Sequence, residues 1–597
     1  MREKGVAHDS YTLPILNGLV VLLESGKRFA FMIHCVAVQM GFESDLYFGN
    51  TMIESYVNSG CFENALKMFG EMPCRDLVSW TSMISGYVGE MNVGSASRLF
   101  SDMRKEIEPN AVTMIVMLRI CLTVLEGRQF HGYLIKSGFL NDQSVKNSIL
   151  KMYAGIGCAV EAETFFEEID KLDVVSWNIM ISLYSLEGNT SKMTNCFRKI
   201  WNKSKPSIET LTLLVSGLAE EGNLSQVWQM HCLSIKNGFC DDILRTSLMD
   251  FYAKCADLEA SAQLFVEVPY RNCITWSVMM SGYIENGHFK EAIELFRQML
   301  AAGVQPIAEN MRNLLVVCTH MGALQLGKSV HGYLVRNSFF YSNEGNRSLE
   351  TSILNMYIRC GSFCAARICF NGILTKDLVT WTSMIEGCAV HGKGFEALEL
   401  FHQMVEDRIK PNYVTFISLL SACSHSGLLH EGCELLCCMK SRFGIDPDLD
   451  HYTCIVDLLG RSGKTKEALA IIVKFVIFPD SRIWGALLAA SRVNEDQKLG
   501  EYAAERLLQL EPDNVGYHTV LSNVQASAGK WDEVEEARSV MKERNLMKHP
   551  GWSCLEEKGM LHGFVSGDRS HCRTDEIYEM MECLGRNTLD VGTVSFD

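Results

Sequence analysis

The chain has 597 residues, 47% hydrophobic and 21% charged, enough apolar material for several domains or for one long repeat array. Its formal net charge of -16 weighs against a protein that holds nucleic acid mainly through phosphates, without excluding a basic groove on an acidic body. No apolar run reaches the ~18 residues of a membrane span, because the best one, 18–38, is broken by Glu24, Lys27 and Arg28.

The N-terminus has neither a secretory signal nor an Arg/Ser-rich transit segment. The 23 cysteines are scattered through apolar stretches with no C-x-x-C, which fits a reducing compartment. The clusters Cys360/Cys364 and Cys433/Cys437/Cys438 lie on helix-like runs and are expected to pack as small core hydrophobes.

In chain order, the first clear element is SWTSMISGY at 79–87. It returns as SWNIMISLY at 176–184, TWSVMMSGY at 275–283 and TWTSMIEGC at 380–388. Trp80, Met83, Ile84 and Tyr87 form one apolar stripe of a helix, with Ser79 where an N-cap would stand. A second helix follows each turn and carries a small–aromatic–aliphatic triple: Ala96/Phe100/Met103, Ala292/Phe296/Met299 and Ala397/Phe401/Met404. Shorter units match it with Ala65/Phe69/Met72 and Ala162/Phe166/Ile169.

Each interval between the tryptophans holds three related units, a period of about 31–36 residues that signals helical hairpins. Hairpins of this kind bury their faces only by stacking. The expected fold is all-α, a right-handed α-solenoid with a concave groove and a short irregular C-terminal segment.

GRSGKT (460–465) is too tightly spaced for a phosphate-binding loop and falls at a hairpin turn with no strand before it. His34, His131, His231 and His331 recur at one repeat position, which points to packing or capping rather than metal binding. The residue after each phrase tryptophan varies among Thr81, Asn178, Ser277 and Thr382, always small and hydrogen-bonding, while its apolar surroundings hold. Ser79, Ser176, Thr275 and Thr380 are expected to cap the helices, which leaves the varying residue in the first turn for another task.

The units resemble pentatricopeptide repeats of the plant PLS class. VSWT, VSWN, ITWS and VTWT open P units at 77–110, 174–207, 273–307 and 378–412. GRQFHGYLIKSGF and LGKSVHGYLVRNSF mark L units, and NSILKMY and TSILNMY mark S units. Tetratricopeptide repeats share the hairpin but lack the recurrent V-S/T-W-x opening. The resemblance implies a partial P unit at 1–9, an array at 10–480, E1 and E2 motifs at 481–514 and 515–548, and a PG-box remnant with a tail at 549–597. MREKGVAHD looks like the end of a unit whose beginning is missing, so a shortened N-terminus is expected. In the PG box, Cys554 stands where Trp is usual and Cys572 where Pro is usual.

The resemblance also assigns roles. In the family the fifth and last residues of a unit read one RNA base. That designates the pairs Asn50/Asp76, Thr81/Asn110, Asn147/Asp173, Asn178/Ser207, Thr246/Asn272, Thr351/Asp377, Thr382/Asn412 and Thr453/Asp480, with Val78, Val175, Ile274 and Val379 wedging against bases. Asp at the last place only accepts, which suits uracil or guanine, whereas Asn can donate to adenine or cytosine. Thr or Ser at the fifth place leaves room for a purine, and Asn favours a pyrimidine. L units with Pro14, Ile115, Arg312 or Ile417 at the fifth place lack a polar reader and serve spacing; Thr212/Asp241 is the exception, and Ser277/Ile307 is unreadable. The implied footprint is 5′-UAnUYnAnnGAnG-3′.

The family's zinc deaminase signature, H-x-E with P-C-x-x-C, is not found, so the chain is not expected to be an enzyme or to need a metal or cofactor. The resemblance implies a site-recognition factor for organellar cytidine-to-uridine editing, in a mitochondrion or alternatively a chloroplast. Its partners would be single-stranded RNA and a DYW-type deaminase with accessory factors acting in trans, and no membrane. RNA binding for splicing, stability or translation, or a protein scaffold, remain the alternatives.

Overall fold

The computed structural model describes residues 13, 15–17, 26–42, 45–203, 206–239, 241–337, 347–527, 529–544, 552–557, 560–565 and 569–591. The segment 1–9 and Pro14 lie outside them. The described chain divides at Pro269/Tyr270 into two compact parts.

In the first part, the helices Leu46–Asn58, Leu77–Gly89, Ala111–Leu118, Gln143–Ile156, Val174–Leu186, Ile208–Leu218 and Asp242–Lys254 each pack against the next of the series. Each is the first helix of a hairpin, and the second helix lies against its own first helix, the next one, or both. The second part repeats this scheme from Cys273–Glu285 through Ala308–Met321, Arg347–Arg359, Leu378–Val390, Tyr413–Ser426 and Leu449–Arg461 to Ser481–Val493. Gln497–Leu510, Val515–Ser527 and Trp531–Glu543 then extend the helical stack. Among the described residues no helix is long and apolar enough to cross a membrane, and no group of His, Cys, Asp or Glu could hold a metal ion.

The repeated phrase builds the contacts between hairpins. Trp80, Met83 and Ile84 are buried and Tyr87 is half-buried against Phe62, with ring centroids 4.5 Å apart. An aromatic from the preceding second helix meets Trp80, Trp177 and Trp381 edge-on: Phe69–Trp80 at 5.1 Å, Phe166–Trp177 at 4.8 Å and Phe370–Trp381 at 5.0 Å. The triples Ala96/Phe100/Met103, Ala292/Phe296/Met299 and Ala397/Phe401/Met404 are buried as expected, the alanine completely.

Glycine supplies close approach. A Cβ on Gly387 would stand 2.7 Å from Ile358 Cδ1 of the previous first helix. One on Gly460 would stand 2.2 Å from the Ala490 Cβ of the next, so this residue of GRSGKT serves helix packing.

The L-unit histidines belong to the same packing. Nδ1 of His34, His131, His231 and His331 lies 2.7, 3.1, 2.9 and 3.0 Å from the hydroxyls of Tyr56, Tyr153, Tyr252 and Tyr357 on the following S-unit helices. Burial holds His131, His231 and His331 below the ordinary histidine value of 6.5, countered in part by Glu168 near His131 and Glu267 near His231. The same burial raises the tyrosines, Tyr56 and Tyr252 to about 12. In acid the unfolded chain takes up protons on these imidazoles before the folded one does. Their stabilisation is therefore complete above the unfolded value and is lost as pH falls from 6.5 through the depressed folded values. The melting temperature should fall between pH 7 and 5, and a His131→Gln, His231→Gln, His331→Gln variant should show a shallower fall. Equal slopes would refute the assignment.

Two expectations fail. Cys364, Cys433 and Cys437 are exposed, and Cys360 and Cys438 are only half-buried, so neither cluster is core. Cys364 lies off the Phe363/Ala366/Phe370 face of its helix, Cys433, Cys437 and Cys438 lie off the Gly432/Leu435/Met439 face of theirs, and Cys360 falls in the turn after Arg347–Arg359. The C-terminal segment is also more regular than expected. Trp552–Glu557 pairs antiparallel with Met560–Val565, from Trp552↔Val565 to Glu557↔Met560, and an 18-residue helix, Thr574–Val591, follows. Nδ1 of His562 on the second strand lies 2.9 Å from Nε2 of His571.

Candidate nucleic-acid interface

The helices begin earlier than the sequence suggested. Asp76, Asp173, Asn272 and Asp377 are the N-caps of the four phrase helices, each with extended backbone and a side chain that accepts from the third helical N–H. Ser79, Ser176, Thr275 and Thr380, expected as caps, sit in the third helical place and are buried. The last residue of each of these units is thus also the cap of the next helix, and the fifth residue falls in the second turn rather than the first.

This shift brings the designated pairs together. Asn50 Nδ2 donates to Asp76 Oδ1 at 3.1 Å, and Asn147 Nδ2 donates to Asp173 Oδ2 at 2.9 Å. The third-place serine ties each pair. Ser79 Oγ donates to Asn50 Oδ1 at 2.6 Å and reaches Asp76 Oδ1 at 2.9 Å, and Ser176 does the same at 2.7 and 2.7 Å. Burial tends to raise Asp76 and Asp173. The bonds from the serine N–H, the serine hydroxyl and the asparagine amide outweigh it and hold both carboxyls below their ordinary value. Both are therefore acceptors at neutral pH.

In other pairs the link runs through the third-place residue. Thr81 Oγ1 lies 2.9 Å from Thr113 Oγ1, which donates to Asn110 Oδ1 at 3.0 Å. Thr382 Oγ1 lies 3.0 Å from Thr415 Oγ1, which donates to Asn412 Oδ1 at 2.9 Å. The Nδ2 groups of Asn110 and Asn412 make no protein bond among the described residues and are available as donors. Thr210 Oγ1 donates to Asn178 Oδ1 at 2.7 Å and lies 3.0 Å from Ser207 Oγ. With serine in place of aspartate, Asn178 Nδ2 is buried without a partner, an unmet donor of the kind a ligand acceptor would complete.

The remaining pairs differ. Thr453 bonds the Leu449 carbonyl at 2.8 Å, while Asp480 accepts from Arg482 Nε at 2.7 Å and the Ile483 N–H at 3.1 Å. Burial pushes Asp480 up, but those bonds and the guanidinium charge hold it below its ordinary value. Asp377 accepts from Thr380 N and Oγ1 at 2.8 and 2.7 Å, and its companion Thr351 is buried. Thr246 and Asn272 lie on opposite sides of the division between the two parts. Thr246 Oγ1 bonds the Asp242 carbonyl at 2.7 Å, and Asn272 accepts from Ile274 N at 3.0 Å.

Four of the designated fifth residues are recessed, Asn50, Asn178, Thr351 and Thr382 being 8, 5, 8 and 8% exposed, and Thr81, Asn147, Thr246 and Thr453 are half-buried. The last residues are half-buried, apart from the exposed Asn272, and present the outer polar atoms. The residues expected to wedge against bases stand out, Val78, Val175, Ile274 and Val379 being 55, 51, 56 and 58% exposed at the second helical place. Sequence reasoning missed Tyr47, Val112, Ile243 and Val414, which are exposed at the same place in other units. Counting from each cap would have found them, as it would the bridging Thr113, Thr210 and Thr415.

Stacked hairpins with polar pairs at several junctions and exposed aliphatics beside most of them define a helical-repeat protein. Comparison with known proteins says which. A family model described as "PPR repeat" matches residues 50–77, 175–204, 274–304, 414–442 and 450–476, and one described as "PPR repeat family" matches 75–123 and 376–425. A model described as "E motif" matches 494–556.

Pentatricopeptide repeat-containing protein At4g35130, chloroplastic, of Arabidopsis thaliana is 35% identical over 594 residues, covering 98% of this chain and 72% of its own. At4g19191, mitochondrial, from the same plant is 34% identical over 589 residues, covering 97% and 89%. The crystal structure of the pentatricopeptide repeat protein PPR10 from maize aligns over 91% of this chain and 94% of its own at 15% identity, with a TM-score of 0.44. The chain belongs to the pentatricopeptide repeat family of plants, in its E subgroup.

Proposed function

We propose that this protein binds single-stranded organellar RNA base by base and selects the site of a cytidine-to-uridine edit, with a DYW-type deaminase supplied in trans. The observation that carries this is the wiring of fifth to last residues. Five designated pairs, from Asn50/Asp76 to Thr382/Asn412, are joined directly or through one hydroxyl. Each pair presents either an ionised acceptor or a donor, the two states a base edge can distinguish.

An exposed aliphatic at the second place of most of these units offers a surface for one base face, so recognition relies less on phosphate neutralisation than the net charge would demand. The organellar assignment is supported by the chloroplastic and mitochondrial names of the relatives, and the editing role by the match to the E motif. Residues 481–597 would dock the deaminase-bearing partner and accessory factors.

The purified chain should shift 5′-UAnUYnAnnGAnG-3′ at concentrations at least about tenfold below those needed for a scrambled oligomer, about 1.4 kcal/mol of discrimination. Equal affinity would remove base-by-base reading. In a null plant, comparison of organellar RNA with organellar DNA should reveal one lost edit; intact editing with a splicing or stability defect would move the protein to another RNA task.

A further inference from the structure

The first helix of the L unit that starts at Ala111 is short. It spans Ala111–Leu118, whereas its counterparts Ala308–Met321 and Tyr413–Ser426 run to 14 residues. The lost turn leaves a cavity of about 450 Å³ against the neighbouring first helix, Gln143–Ile156. Ile115, Leu118 and Met152 make its apolar floor, and Arg119 and Lys151 stand exposed at its rim.

Arg119, the C-cap of its helix with right-handed helical backbone (φ -71°, ψ -18°), is one turn on from Ile115, and Lys151 is one turn on from Asn147, so both continue the faces that carry the fifth positions. Comparable places on other first helices hold either acidic residues, Glu54, Asp250, Glu386 and Asp457, or uncharged ones such as Ser85, Ser182 and Ser281. Several other first-helix cations are neutralised, Lys254 by Glu220 at 2.6 Å and Asp250 at 3.4 Å, Arg359 by Glu386 at 2.5 Å, and Arg461 by Asp457 at 2.9 Å, whereas Lys146 and Arg492 also lack an ion pair among the described residues but do not line this cavity. Arg119 and Lys151 make no ion pair among the described residues.

We propose that this cavity is a sequence-independent nucleotide clamp. Arg119 and Lys151 take the two phosphates that flank one nucleotide, and its base lies unread on the apolar floor. Ile115 offers no hydrogen bond to a base edge, so the L unit acts here as an anchor rather than a spacer. The clamp rests on the RNA-binding reading above. It fixes the register of the strand beside Asn147/Asp173 and gives an acidic protein its local hold on a polyanion.

The test is an Arg119→Gln, Lys151→Gln double variant of the full chain, with affinity for 5′-UAnUYnAnnGAnG-3′ (adenine at every n, cytosine at Y) measured from 50 to 200 mM KCl. Two single-strand phosphate contacts correspond to a slope of about 1.4 in log K against log salt, and the variant's slope should be shallower by that amount. Affinity at low salt should fall at least about tenfold, equally for all four bases at the clamped nucleotide. A Lys254→Gln, Arg461→Gln control, removing cations already neutralised, should leave the slope unchanged. An unchanged slope in the Arg119/Lys151 variant, or a loss that depends on the clamped base, overturns the clamp alone. A wild-type chain that binds no RNA at any salt overturns the RNA reading itself, and the clamp with it.

Discussion

A Thr382→Asn, Asn412→Asp double variant should exchange adenine for uracil as the base preferred at that position. The swing between two oligomers that differ at one nucleotide should be about a hundredfold, or about 2.7 kcal/mol. The local wiring is already suited to the change. Thr415 Oγ1 reaches Thr382 and donates to Asn412 Oδ1 at 2.9 Å, as Ser79 Oγ reaches Asn50 and Asp76. A carboxylate installed at 412 would receive the Thr415 N–H, which now goes to Asn412 at 3.0 Å. An amide at 382 could bond that carboxylate as Asn50 bonds Asp76.

The helix keeps its N-cap, since Asp and Asn cap about equally well, so the melting temperature should stay within a few degrees. The outer acceptor then meets an imino N–H, which uracil has and adenine lacks. Fluorescence anisotropy on the two oligomers decides the matter. An unchanged preference for adenine in a folded variant would mean that Thr382 and Asn412 do no more than cap and pack.

Much of this arrangement was legible in the chain because apolar periodicity is a strong signal. The stripe of Trp80, Met83 and Ile84 and the triple Ala96/Phe100/Met103 locate both helices of a hairpin and the faces they bury. The helix starts were misplaced because Asp76 and Ser79 are both good N-cap residues. Only the backbone separates them: Asp76 is extended at φ -99° and ψ -179°, while Ser79 lies inside the helix.

That displacement of three residues decides what the site looks like. It makes the last residue of one unit the cap of the next and sets the fifth residue back between helices. The strands Trp552–Glu557 and Met560–Val565 went unseen because the two residues joining them, Lys558 and Gly559, are not a strong hairpin signal. The outward cysteines were unreadable for a simpler reason: a run of apolar residues on an outer helix does not say which of them faces the core.

Packing and recognition should separate cleanly at the phrase 379–382. Trp381 is 3% exposed, meets Phe370 edge-on at 5.0 Å, and is followed in its helix by the fully buried Met384 and Ile385. Lys376 Nζ sits 5.1 Å from the centroid of the same Phe370 ring, a cation–aromatic contact beside the indole. Truncating a buried tryptophan leaves a cavity that the neighbouring helices cannot fill, and Trp381→Ala should cost about 3–5 kcal/mol.

In a stacked array that loss falls first on the local hairpins, so urea unfolding should develop an early phase rather than shift as a whole. RNA affinity should fall with it, because Thr382 is the next residue. Two residues earlier, Val379 is 58% exposed. Val379→Ala should leave stability within about 0.5 kcal/mol, as surface changes do, yet weaken RNA binding by removing the surface on which a base rests. Circular dichroism in urea and an anisotropy titration on each variant give the four values needed. If Val379→Ala binds RNA as wild type does, the exposed aliphatics are not wedges. If Trp381→Ala unfolds as wild type does, the phrase is not what holds the hairpins together.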